Sequence, residues 1–193
     1  MFFWGWALNL AVIPARGGSI RIPKKNIKLF HTKPIIAYSI QVAQQSGLFE
    51  YVIVSTDDDE IEKVSEKYGA MVIRRPKDDG IRGTQEVVAE VLRLFESEFS
   101  CCIYPCAPLI NSEDLQFAHR LLKYNPVLAY AVPMAKWPVD PGQFYFGRSS
   151  AFINEVPLTW AQVFEIPHER AIDINTQEDW DMAEKMYHGL HVS

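Results

Sequence analysis

Residues 10–26 read LAVIPARGGSIRIPKKN, and this order of apolar run, glycine pair and basic cluster decides the fold. Residues 10–13 form a short continuous apolar run closed by Pro14 and then Gly17-Gly18, the pattern of a buried parallel strand entering a turn. A loop in that position leaves the carboxyl end of its strand, where open α/β sheets bind ligands. Two glycines let the backbone approach an anion closely, and successive N–H groups in such a turn can point at its oxygens. Arg16, Arg21, Lys24 and Lys25 fall within ten positions and supply charge for a triphosphate. The spacing is neither the G-x-G-x-x-G of dinucleotide folds nor a loop ending in GK[ST]. From these features alone, a Gly-Gly turn carrying solvated basic residues fits equally well.

Working outward, apolar runs and helical stretches alternate along the chain. Helix is expected from Pro34 to the stop at Gly47, then a strand over 51–55 and an amphipathic helix over 58–68 closed by Gly69. A strand over 70–73 and a polar loop over 76–83 follow, with Thr84 placed to cap a helix reaching residue 95. The remaining expectations are strands over 101–104, 128–132 and 171–174, a helix capped by Asn111 or Ser112 and ending at 123, and a last helix over 176–187. Such alternation predicts an α/β fold with a mostly parallel sheet and helices on both faces. No repeat, low-complexity tract or linker divides the chain, so a single domain is expected.

Composition narrows the function. The chain has 193 residues, 48% hydrophobic, with a formal net charge of −5 and a sequence pI near 5.5. An acidic chain lacks the basic footprint of a nucleic-acid binder, yet a local cluster such as Arg16, Arg21, Lys24 and Lys25 can serve a small anion. Cys101 and Cys102 are adjacent on a strand and face opposite ways, so with Cys106 they read as core residues of a reducing compartment rather than zinc ligands. The apolar start has no basic n-region and is short for a membrane span, which predicts a cytoplasmic protein without membrane attachment; residues 1–9 are a hydrophobic lead-in. His31, His119, His168, His188 and His191 show no ligand or triad spacing, and no G-x-S-x-G elbow is present.

The segment Ala15-Arg16-Gly17-Gly18-Ser19-Ile20-Arg21-Ile22-Pro23-Lys24-Lys25-Asn26 resembles the signature of the acylneuraminate cytidylyltransferase family, enzymes that activate nine-carbon keto sugar acids with CTP. Ser55-Thr56-Asp57-Asp58 and Arg75-Pro76 resemble further family motifs. Cys101-Cys102-Ile103-Tyr104-Pro105-Cys106-Ala107-Pro108, Asp140-Pro141-Gly142-Gln143-Phe144-Tyr145-Phe146-Gly147 and Asp173-Ile174-Asn175-Thr176 are similar to motifs of its pseudaminic acid branch. The resemblance runs in order from about residue 10 to 187. It implies a Rossmann-like nucleotidyltransferase fold and attack of the sugar's anomeric hydroxyl on the α-phosphorus of CTP, with pyrophosphate leaving.

Such a transfer needs positioning, and positive charge where negative charge accumulates. The resemblance assigns Arg16 and Lys25 to that charge, and Ala15, Gly17, Gly18, Ser19 and Arg21 to the nucleotide's phosphate side. It sets Asn26 and Arg75 beside the cytidine, and Gln143, Phe144 and Tyr145 along the sugar. Asp173, with Asn175, is the candidate holder of Mg²⁺, which favours one or two carboxylates plus phosphate and water oxygens. Taken alone, an Asp before a helix is more often a cap, but Thr176 already fills that role. Asp57-Asp58-Asp59 reads first as helix-start acids and second as a nucleotide-side role for Asp57.

The chain departs from the family in four places. Ile20 stands where the family carries lysine, and Asn175 where it carries a second carboxylate. The loop over 77–83 is shortened. Between Trp137-Pro138 and Asp140 a few dozen residues are missing, including an arm that joins the family's dimers and contributes sugar contacts, which weakens the expectation of a homodimer. Ile20, Asn175 and the missing arm also favour an alternative, a catalytically weak or inactive nucleotide-binding relative.

Overall fold

Alternate residues of β1 (Leu8–Ala15) are buried on opposite sides of a sheet. The computed structural model describes residues 8–77, 82–135 and 140–191; most of the lead-in, the tip of the 77–83 loop and the Trp137-Pro138 junction lie outside them. Ala11, Ile13 and Ala15 pack under α1 (Ile35–Gln45), α2 (Asp59–Lys67) and α4 (Ser112–Tyr124). Leu10 and Val12 pack with α3 (Thr84–Leu92) and α5 (Ser149–Ile153) on the other face. A run buried on both faces has no polar side to offer, which is why 10–13 is apolar without alternation.

Two residues each form the hairpin strands β2 (Leu29–Phe30) and β3 (Lys33–Pro34). The main sheet contains β4 (Tyr51–Thr56), β5 (Met71–Arg74), β6 (Ser97–Ile103), β7 (Tyr130–Met134), β8 (Phe144–Arg148) and β9 (Ala161–Glu165) with β1. Among the described residues its order is β5-β4-β1-β6-β8-β7-β9, and only β8 runs against the others. The start of β8 therefore lies at the edge where β6 ends, with Phe144 opposite Ile103. The fold is α/β, mostly parallel, with helices on both faces.

The helix ends follow local chemistry. Asp58 accepts hydrogen bonds from the N–H groups of Glu60 (2.8 Å) and Ile61 (3.0 Å), so the central acid of the Asp57-Asp58-Asp59 run caps α2. Gly69 ends that helix at φ +82, a conformation open to glycine. Asn111 caps α4 by accepting from the Glu113 N–H at 2.9 Å. The helix α6 (Gln177–His191) opens with a reciprocal box: Thr176 Oγ1 accepts from the Asp179 N–H, and Asp179 Oδ2 accepts from the Thr176 N–H at 2.7 Å.

Three expectations need correction. Thr84 is the first helical residue of α3 rather than its cap; the N-cap is Gly83, with no side-chain bond. Residues 171–174 form no strand: Ile174 is buried instead against Trp180 and Ala183 of α6 and Tyr38 of α1. Strands β8 and β9 and the short α5 were not expected from the sequence. The three cysteines are buried thiols, as expected of core residues. Burial pushes Cys102 and Cys106 up to about 12 and Cys101 well above the usual thiol value. A thiol-exchange reagent at pH 8 is therefore expected to label none of them in the native protein and all three after denaturation; rapid native labelling of Cys106 would show that its site opens.

Candidate active site

At the carboxyl edge of the parallel strands lies a cleft of about 350 Å³. The loop after β1 forms one wall through Arg16, Ser19, Ile20, Arg21, Lys25 and Asn26. Arg75, just past β5, is set by its N–H donating to the Thr56 carbonyl at 3.0 Å. Tyr104 and Cys106 follow β6, and Gly142, Asp173 and Asn175 close the far side. Arg82 and Thr84, at the entry to α3, complete it. Arg82 is paired with Glu90 at 2.7 Å, while Arg16, Arg21, Lys25 and Arg75 face one carboxylate among the described lining residues, a concentration of positive charge in a chain whose net charge is −5.

The loop is fixed by its own side chains. Buried Asn26 donates to the Arg16 carbonyl at 2.9 Å, while its Oδ1 accepts from the Cys106 thiol at 3.1 Å. Asn26 therefore staples the loop to the end of β6 while lining the cleft. The Gly17 N–H donates to Asp57 Oδ1 at 2.8 Å, and the Ser19 N–H to the Gly17 carbonyl at 2.9 Å. Two amides expected to cradle phosphate are thus engaged within the protein, and Asp57 acts as a loop anchor. Lys24, in the left-handed region at φ 52, turns away to pair with Glu60 at 2.5 Å, so it leaves the cleft to Arg16, Arg21 and Lys25. Ile20, 92% exposed, stands on the rim.

Gly17 has a second constraint. A Cβ there would lie 2.6 Å from Asp58 Oδ2 and 2.9 Å from Asp58 Cβ, displacing the residue that caps α2. Loss of an N-cap costs about 1 kcal/mol. Gly17→Ala is therefore expected to lower Tm by about 2–4 °C in a chain of this size, measurable by calorimetry. An unchanged Tm would mean that the cap absorbs the methyl.

Across the cleft, Lys25 Nζ donates to the Ile174 carbonyl at 2.7 Å. Arg21 Nη2 donates to Asn175 Oδ1 at 2.9 Å, and Asn175 Nδ2 donates to Asp173 Oδ2 at 2.5 Å. The chain of donors fixes the amide's orientation, since a guanidinium needs an acceptor and a carboxylate needs a donor. The Asn175 oxygen is thus committed to Arg21, and Asp173 presents the exposed carboxylate on this side. One carboxylate beside a cationic cleft fits Mg²⁺, an ion commonly bound through one or two carboxylates with phosphate and water oxygens completing its shell. Among the described residues no cluster of three His, Cys, Asp or Glu side chains could hold a metal by itself.

The remaining expected site residues lie off the cleft wall. Ala15 is fully buried at the end of β1, whereas Gly17 is half-buried and Gly18 exposed in the loop, and neither glycine lines the cleft. Gln143 and Phe144 are each 1% exposed; Gln143 donates to the Arg170 carbonyl at 2.5 Å, and Phe144 belongs to the core. Tyr145 is half-buried, with its hydroxyl donated to Asp140. Burial first, and that bond second, hold its phenol above the usual range. Arg82, Thr84 and Tyr104 are lining residues not singled out from the sequence. The Tyr104 phenol is pushed up to about 12 mainly by burial, so it remains a neutral hydrogen-bond donor at physiological pH.

A mostly parallel sheet with a basic, glycine-containing loop and one exposed carboxylate at its carboxyl edge fits a nucleotidyltransferase. The family model described as Cytidylyltransferase matches residues 10–142. The pseudaminic acid cytidylyltransferase of Campylobacter jejuni is 32% identical over 228 aligned positions, covering 96% of this chain and 98% of that protein. This chain belongs to the cytidylyltransferase family. The CMP-N,N'-diacetyllegionaminic acid synthase of Legionella pneumophila is 45% identical over 85 residues, 44% of this chain and 37% of that protein. Among solved structures, a CMP:2-keto-3-deoxy-manno-octonic acid synthetase complexed with CTP superposes with a TM-score of 0.80 at 17% identity, covering 95% of this chain and all of that one. That likeness speaks to the fold. No helix among the described residues is long and apolar enough to cross a membrane.

Proposed function

We propose that this protein transfers CMP from CTP to the anomeric hydroxyl of a nine-carbon keto sugar acid, with pseudaminic acid as the preferred acceptor. The observation that carries the proposal is the cleft itself, with Arg16, Arg21, Lys25, Arg75 and Arg82 gathered at the carboxyl edge of the sheet in an acidic chain. The printed activities of the Campylobacter and Legionella relatives support a sugar acid as acceptor, and the former's coverage of nearly the whole chain favours pseudaminic acid. As the hydroxyl attacks the α-phosphorus, negative charge grows on the leaving pyrophosphate. Arg16 and Lys25 hold positive charge there, which lowers the barrier only if they are already in place. Lys25 is in place through its bond to Ile174. Asp173 would hold Mg²⁺, which when bound neutralises phosphate charge and orients the triphosphate.

The alignment with the Campylobacter relative runs over 228 positions against a chain of 193 residues, which supports the absence of a segment from the middle region. A homodimer built through that segment is correspondingly disfavoured. The alternative, a relative that binds CTP without turnover, is favoured by one observation: the Gly17 N–H and the Asn175 oxygen are taken by protein partners.

Pyrophosphate release from CTP and Mg²⁺ tests the proposal, with pseudaminic, N,N'-diacetyllegionaminic and N-acetylneuraminic acids offered separately. Release is expected with pseudaminic acid above the others. Preference for another acid would replace the named acceptor, and silence with all three beside a CTP-dependent rise in Tm would establish the binding-only alternative.

A further inference from the structure

Asp173 sits in a segment with no strand ladder to fix it, since residues 171–174 are outside the sheet. Its position rests on side-chain anchors before and after it. After it, Lys25 holds the Ile174 carbonyl, and Asp179 takes the N–H groups of Asn175 (2.9 Å) and Thr176. Before it, Arg170 forms a two-pronged pair with Asp114 of α4: Nη1 with Oδ2, and Nη2 with Oδ1 at 3.2 Å. The two side chains are only 15% and 14% exposed, and the planar fork fixes direction as well as distance. Surface pairs elsewhere, such as Lys24–Glu60 at 65% and 57%, impose no such restraint.

The entry to β8 provides the floor. The Gln143 amide donates to the Arg170 carbonyl, and the Gln143 carbonyl accepts from the Tyr104 N–H at 2.9 Å, tying the segment to the end of β6. Gln143 Oε1 is buried with no partner among the described residues, so the side chain acts here only as a donor. Gly142, at φ +58, lies directly beneath the Asp173 carboxylate; a Cβ there would come within 2.7 Å of Asp173 Cγ and Oδ1. Arg170 is three residues from Asp173, so about 10 Å of chain at most separates the anchor from the ligand.

We infer that Asp114, Arg170 and Gln143 are positioning residues that set the Asp173 carboxylate at the phosphate cleft, coupling α4 to metal capture. The inference rests on Asp173 holding the metal. None of the three is exposed in the cleft; they act through Asp173 and the backbone between.

The test measures Mn²⁺ binding to the full chain in the presence of CTP by titration calorimetry, with melting temperature and metal-free CTP affinity alongside. Gln143→Met keeps the volume and removes the donor together with the unpartnered oxygen. It is expected to weaken Mn²⁺ binding about tenfold, within the range for loss of an outer partner of a ligand, while metal-free CTP affinity stays within about twofold. Arg170→Lys keeps the charge and loses the fork, and is expected to do the same with a lower melting temperature. Gln143→Met is the gentler of the two and remains informative if Arg170→Lys does not fold. Folded variants that bind Mn²⁺ like the wild type, whatever their melting temperatures, would reduce the network to ordinary packing and overturn the inference. Asp173→Asn is the control. If it too binds Mn²⁺ normally, the metal assignment itself is wrong and the positioning role goes with it; if it fails to bind while the others bind normally, only the positioning role is lost.

Discussion

In an Arg16→Ala variant, pyrophosphate release is expected to fall by about 10²-fold, the low end of the loss when one charge or donor is removed from a developing anion. The fold should be indifferent. Arg16 is exposed on the cleft wall, and the loop is stapled through its backbone carbonyl, which the substitution leaves in place. Surface substitutions of that kind stay within about 0.5 kcal/mol. Steady-state turnover with a parallel thermal melt checks both halves. Turnover near the wild-type value would remove Arg16 from the reaction and leave the cationic role to Lys25, Arg21 and Arg75.

Asp173→Asn should produce effects of opposite sign in two measurements. The Mg²⁺ concentration for half-maximal turnover is expected to rise at least tenfold, because a neutral amide is a poor substitute for the one carboxylate among the described lining residues. CTP affinity without metal is expected to tighten, because removing that carboxylate from beside Arg16, Arg21, Lys25 and Arg75 raises the local potential. A magnesium titration of turnover and a metal-free CTP titration read the two separately. An unchanged magnesium requirement would exclude Asp173 as the ligand; weaker metal-free binding would mean that the substitution had collapsed the Arg21–Asn175–Asp173 contacts.

Much of this architecture was legible in the residues because a buried parallel strand must be apolar on both faces. The runs at 10–13, 51–55, 70–73, 101–104 and 128–132 all fall in or overlap strands of the sheet. The same rule misled at 171–174, where Ile172 and Ile174 are apolar because α6 covers them and not because a neighbouring strand pairs with them. Periodicity reports burial, and burial does not name its partner. β9 escaped notice for the converse reason: it stands at the sheet edge with Gln162 and Glu165 exposed, which breaks up its apolar run. At the site, the loop signature placed Arg16, Arg21, Lys25 and Asn26 on one wall, and Arg75, Asp173 and Asn175 joined them across it. What no local pattern could show was where hydrogen bonds would go between distant residues. Gly17 meeting Asp57, Arg21 meeting Asn175 and Gln143 meeting Arg170 are pairings of tertiary structure, 40, 154 and 27 residues apart.

The reversed direction of β8 bears on how such enzymes diversify. β7 ends at Met134 and β8 begins at Phe144 on the same, cleft-side edge of the sheet, with Ala131 opposite Phe146 in the register between them. Lengthening the connection between two strands carries only about 0.6 kcal/mol of closure entropy per doubling. The rim of the cleft can therefore be extended or trimmed by whole segments while the strand frame beneath it stays intact, so the two can evolve separately.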